Sequence, residues 1–183
     1  MKNIMVDLET LGTAPGSAIL SIGAVVFAPH SADIKDTFHM HLKLEDSVAA
    51  GFTVSASTML WWLAQSEDAR SGIIRGQVGA HAVRNVLGTF TDWCLTGASI
   101  GEVVMWGNGA SFDNTLLSEA YRKLDMRQPW EFWNDRCYRT IKGEYPTVKL
   151  VREGVHHDAL ADAISQAKHL QAIYQHRKEN APS

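Results

Sequence analysis

Cysteine is scarce in this sequence. Only Cys94 and Cys137 occur, far apart and at no metal-ligand spacing. Reduced structural thiols in a cytoplasmic protein are therefore expected. An excess of positive charge is also missing: 17 Lys and Arg stand against 20 Asp and Glu, for a net charge of -3. That balance excludes a broadly basic protein that coats nucleic acid. It still allows an enzyme that grips a phosphodiester through bound cations. No apolar run approaches the ~18 residues of a membrane span. The N-terminus has one Lys and then an acid-broken strand, unlike a signal peptide. Repeats, low-complexity tracts and linkers are lacking as well. One domain over residues 1–177 is expected, with 178–183 a frayed tail.

What is present begins with Asn3-Ile4-Met5-Val6-Asp7-Leu8-Glu9-Thr10, an apolar run that leads into two acids. Turn residues at 12–16 separate it from the Ile- and Val-rich run 18–27, and Thr37 to Leu42 alternates as a third strand. These three runs predict a β-meander. Helical spacing follows over Met59 to Ile74 and His81 to Leu95, with Ser55, Ser57 and Thr58 as candidate caps. A short strand, 102–106, precedes a helix over 111–124. A weak helix follows Asn134-Asp135-Arg136, and a last helix runs from about Asp158 to Gln175. Strands first, then helices, then a strand–helix pair predict an α/β fold whose mixed sheet is covered by helices.

Three stretches carry chemistry. On a strand, positions i and i+2 share a face, so Asp7 and Glu9 project side by side. Two like charges at the end of a buried strand resist both desolvation and each other, and a divalent cation relieves both costs. In Trp106-Gly107-Asn108-Gly109-Ala110-Ser111-Phe112-Asp113 a strand ends in glycines and an acid opens the next helix. Glycines allow close backbone approach to a ligand at the carboxyl end of a strand. Asp113 could equally complement the helix dipole. In His156-His157-Asp158-Ala159-Leu160-Ala161-Asp162, Asp158 suits the role of cap, whereas Asp162 sits among apolar neighbours where a solvated acid is not expected. Paired histidines raise the question of zinc, but no further Cys or His completes such a site. Asp7, Glu9, Asp113 and Asp162 offer hard oxygen donors suited to Mg²⁺ or Mn²⁺, and His157 can accept a proton near neutral pH.

These stretches resemble the three motifs of the DEDDh 3′–5′ exonucleases of the ribonuclease H-like superfamily. Asp7-Leu8-Glu9-Thr10 matches D-x-E-T, Asn108 to Asp113 matches N-x₃-F-D, and His157 to Asp162 matches H-x-A-x-x-D. The motifs appear in family order and span residues 7 to 162. The resemblance implies a ribonuclease H-like fold, with a central mixed five-stranded sheet flanked by helices. It also implies two divalent cations, Mg²⁺ or Mn²⁺, held by Asp7, Glu9, Asp113 and Asp162, with His157 as general base. Single-stranded RNA or DNA 3′ ends, or 3′ overhangs, would be the substrates and nucleoside 5′-monophosphates the products. Thr10, Leu11, Asn108, Phe112 and Trp62 would contact the terminal nucleotide, while Trp61 is assigned to packing.

Ser57-Thr58-Met59-Leu60-Trp61-Trp62-Leu63-Ala64-Gln65-Ser66 is similar to a T-x₃-W-W-x₂-Q-S stretch of small phage, prophage and mycobacterial exoribonuclease-like members. That narrower likeness favours RNA somewhat and allows a homodimer. Asp135 to Thr140 stands where relatives carry D-x-R-T, with an offset. The alternatives are an exodeoxyribonuclease with the same site and a nucleic-acid-binding adaptor that has lost activity. The intact set of five residues weighs against the adaptor.

Overall fold

The computed structural model describes residues 1–154 and 156–180. Five strands form one mixed sheet in the order β3-β2-β1-β4-β5. Strands β1 (Lys2–Thr10), β2 (Ile19–Phe27) and β3 (Ile34–His41) make the expected antiparallel meander. Strand β4 (Val103–Gly107) lies parallel to β1, and β5 (Asp135–Cys137) parallel to β4. The helices are α1 (Leu44–Ala49), α2 (Ala56–Leu63), α3 (Glu67–Val78), α4 (Val83–Leu95), α5 (Thr115–Lys123), α6 (Tyr138–Glu144) and α7 (Ala159–Glu179). None of the described helices is long and apolar enough to cross a membrane.

The two-residue period of β1 divides the molecule. Ile4, Val6 and Leu8 enter a core with Val86, Leu87 and Phe90 of α4 and Leu117 and Tyr121 of α5. Met5 faces the other way and packs with Val25, Phe27, Trp106 and the α7 residues Ala163, Ala167 and Leu170. Asp7 and Glu9 share the face of Met5 and so look toward α7. Gly23, opposite Asp7, lets α7 begin directly on the sheet, because a Cβ there would stand 2.1 Å from the carbonyl carbon of Ala159.

Several elements differ from the sequence expectation. The 59–74 region is two helices, broken where Ser66 Oγ accepts the N–H of Ala69 and caps α3. The 111–124 helix begins as a π-helical turn, Ala110–Asn114, before α5. Helix α1 and the three-residue β5 had no periodic signal. Lys178 and Glu179 belong to α7 rather than to a frayed tail, and 181–183 lie outside the described residues.

Candidate active site

The site lies where the carboxyl ends of β1 and β4 meet the start of α7. Ligand oxygens of Asp7, Glu9 and Asp162 fall within 4.8 Å of one another. Glu9 and Asp162 are buried and Asp7 is half-buried. Asp113 is buried at 2 % exposure in the π-helical turn, and the turn folds back so tightly that a Cβ on Gly107 would stand 2.9 Å from Asp113 Cβ. Asn114 braces this turn by donating from Nδ2 to Met105 O at 3.0 Å and to Asp135 Oδ1 at 2.6 Å. Trp130 Nε1 donates to the same Asp135 oxygen at 2.8 Å. Asp135, of the offset D-x-R-T stretch, therefore anchors the turn that carries Asp113.

The electrostatics reflect this crowding. Burial, then the charges of Asp113 and Glu9, hold the Asp7 carboxyl well above the usual range, partly offset by a hydrogen bond from Gln166. Gln166 Nε2 donates to Asp7 Oδ1 at 2.7 Å. Burial and then Asp162 push Glu9 up to about 8. Burial raises Asp113 to about 7 despite nearby backbone N–H groups and Arg139. Two buried carboxylate oxygens, Glu9 Oε1 and Asp113 Oδ2, have no hydrogen-bond partner among the described residues. Unpartnered buried acceptors beside a cluster of hard oxygen donors fit divalent cations.

His157 stands at the entrance of α7 with φ +67, a left-handed conformation uncommon for a residue with a side chain. Its N–H donates to Asp162 Oδ2 at 3.1 Å, which ties that backbone to the carboxylate. The imidazole meets Trp61 and Trp62 edge-to-face, with centroids at 4.9 and 5.8 Å. Burial, and then His156, lower its pKa from the ordinary value, so the ring favours its neutral form. His156, His157 and Asp162 also bring ligand atoms within 4.8 Å of one another. The two imidazoles lie against each other, with centroids 3.8 Å apart and planes tilted by 30°. Asp158 acts as the expected cap, accepting the N–H of Ala161 at 2.9 Å.

These groups open on a cleft of about 480 Å³, whose walls include Thr10, Asn108, Phe112 and Trp62. Leu11, expected beside them, instead enters the core with Leu8 and Val86. Strand β1 stops at Thr10 and its register with β2 slips after Glu9, so the alternation does not carry on to Leu11. The tryptophans exchange their expected roles in part. Trp62 is mostly buried and donates from Nε1 to Thr10 O at 2.9 Å, fixing the end of β1. Trp61, assigned to packing, is 46 % exposed and lines the cleft. Gln166, Lys142 and Arg152 were not foreseen. Only Gln166 had a signal, one helical turn after Asp162 on the same face.

A family model described as the 3′–5′ exoribonuclease Rv2179c-like domain matches residues 2–174. An exodeoxyribonuclease of Enterobacteria phage T4 is 24 % identical over 162 residues, covering 76 % of this chain and 70 % of that protein. The nuclease domain of 3′hExo, a DEDDh family member bound to rAMP, aligns with a TM-score of 0.64 at 16 % identity, over 96 % of this chain and 92 % of that one. E. coli exonuclease I in complex with a dT13 oligonucleotide gives a TM-score of 0.70 at 10 % identity, over 97 % of this chain and 42 % of that one. At these identities the structural likeness concerns the fold.

Proposed function

The chain belongs to the 3′–5′ exoribonuclease Rv2179c-like family, and from that premise we propose a metal-dependent 3′–5′ exonuclease that trims single-stranded RNA ends to nucleoside 5′-monophosphates. The observation that carries this reading is the convergence of Asp7, Glu9 and Asp162 on an open cleft, with the buried Asp113 near enough for its charge to act on Asp7. Asp7, Glu9, Asp113 and Asp162 would hold two divalent cations, Mg²⁺ or Mn²⁺. Such ions polarise a phosphodiester and offset charge on its attacking and leaving oxygens.

His157 takes the proton of the attacking water, and its neutral ring is suited to that task near neutral pH. Trp61 and Phe112 offer faces on which a terminal base stacks with little sequence preference. Thr10, Asn108 and Trp62 shape the end of the same pocket. Gln166 holds Asp7 in place from α7. We read residues 1–177, with the two further residues of α7, as one catalytic domain, supported by the single sheet, and place it in the cytoplasm, in keeping with two free cysteines.

A second reading, an exodeoxyribonuclease with the same site, is favoured by the phage T4 relative. The test is digestion of matched 5′-labelled RNA and DNA oligonucleotides with Mn²⁺, Mg²⁺ or EDTA. The expected outcome is a ladder that shortens from the 3′ end, is faster on RNA, and vanishes with EDTA. Faster cleavage of DNA would establish the second reading, and no cleavage of either strand with any metal would overturn both.

A further inference from the structure

Among the four acids of the site, Asp162 is set apart by its partner. Asp7 is held by the neutral Gln166, whereas Asp162 Oδ1 accepts from Arg152 Nη1 at 2.6 Å. The two ends of that ion pair are unequal. Asp162 is buried, but the Arg152 side chain is 49 % exposed and forms part of the cleft wall. Its only hydrogen bond among the described residues is the one to Asp162, so most of its five N–H donors are unspent. A purely structural arginine would be expected to use that fork on the fold.

Arg152 therefore occupies the position of a cation at a carboxylate that the proposed mechanism gives to a metal ion. With Arg152 on Oδ1 and the His157 N–H on Oδ2, both oxygens of Asp162 are already engaged, so a metal ion that takes this carboxylate competes with the guanidinium. A guanidinium released from Asp162 by rotation of its flexible stem stays in the cleft, beside Lys142, the other lysine or arginine of its wall. There it would meet the substrate backbone, and the planar fork matches two phosphate oxygens in a way that an ammonium does not.

We propose that Arg152 is a substrate-binding residue with two stations: it rests on Asp162 in the metal-free protein and grips a phosphate of the substrate strand once metal ions take that carboxylate. This inference rests on the nuclease reading above. It makes Arg152 a competitor of the metal and a partner of the substrate, so its removal shifts the two affinities in opposite directions.

The experiment compares wild type, Arg152→Ala and Arg152→Lys. Calorimetry measures Mn²⁺ alone and then AMP in saturating Mn²⁺, and digestion of a 5′-labelled single-stranded RNA supplies KM and kcat. In Arg152→Ala, Mn²⁺ is expected to bind several-fold more tightly. AMP affinity should fall and KM rise about tenfold, the scale of one charge-assisted contact, with a smaller change in kcat. Arg152→Lys keeps the charge without the fork, so its Mn²⁺ affinity should lie closer to wild type while KM stays raised. Weaker Mn²⁺ binding in Arg152→Ala would mean that the arginine merely positions Asp162, and would overturn the proposal. Unchanged AMP affinity and KM would overturn it equally. A wild type that cleaves nothing would defeat the nuclease reading instead, and the Mn²⁺ and AMP titrations would still judge Arg152.

Discussion

The two faces of β1 solve opposite problems with one alternating strand. On one, Ile4, Val6 and Leu8 meet Leu87 and Phe90, all at 4 % exposure or less, and the packing is apolar throughout. On the other, Met5 begins an apolar contact with α7, which gives way after two residues to Asp7, Glu9 and Asp162. The first arrangement gains free energy from every group it removes from water. The second holds carboxylates that resist burial and one another, and it is stable only because the rest of the fold over-determines it. Stability and chemistry are thus separated by a single residue step along the strand.

That separation can be tested by damaging each face in turn. The largest effect is expected from Asp7→Asn, which keeps an acceptor for Gln166 but removes a charged donor. Oligonucleotide turnover should be abolished, while the metal-free protein melts about 2–4 °C higher at pH 8, the shift that ~1 kcal/mol gives in a chain of this size. Retained Mn²⁺-dependent turnover would remove Asp7 from the metal set. His157→Ala should slow digestion by roughly 10²–10⁴-fold without a comparable change in melting. If His156→Ala produced that loss instead, the base would be the wrong histidine.

On the opposite face, Leu87→Ala should cost about 2–5 kcal/mol in denaturant unfolding and leave kcat near wild type below the transition. A lost kcat there would show that the faces are not independent. The last test concerns pH. Glu9, pushed up to about 8, and Asp113, to about 7, carry protons in the folded state at pH values where the unfolded chain has lost them. Folded protein then binds more protons than unfolded, so metal-free stability falls as pH rises from about 4.5 to 8. Thermal melts should show that slope, Glu9→Gln should flatten it, and Mn²⁺ should stabilise more at pH 8 than at pH 5.

Residues whose placement follows from local periodicity were readable in the sequence. The alternation at Asp7 and Glu9, the cap at Asp158 and the isolation of Asp162 among apolar neighbours all depend on one element at a time. What escaped depends on where two elements meet. Leu11 follows a register slip set by β2, and Trp61 and Trp62 differ only by which one the end of β1 engages. The β5 strand is only Asp135-Arg136-Cys137, which becomes a strand by pairing with β4. Arg152 lies in an irregular segment, where no spacing predicts a partner ten residues further on.

The hydrogen bond from Gln166 to Asp7 joins residues 159 positions apart. Asp7 and Glu9 are therefore synthesised well before Asp162 and Gln166, which arrive with α7. A segment that stops short of α7 lacks Asp162 and Gln166, so it cannot assemble the acidic cluster.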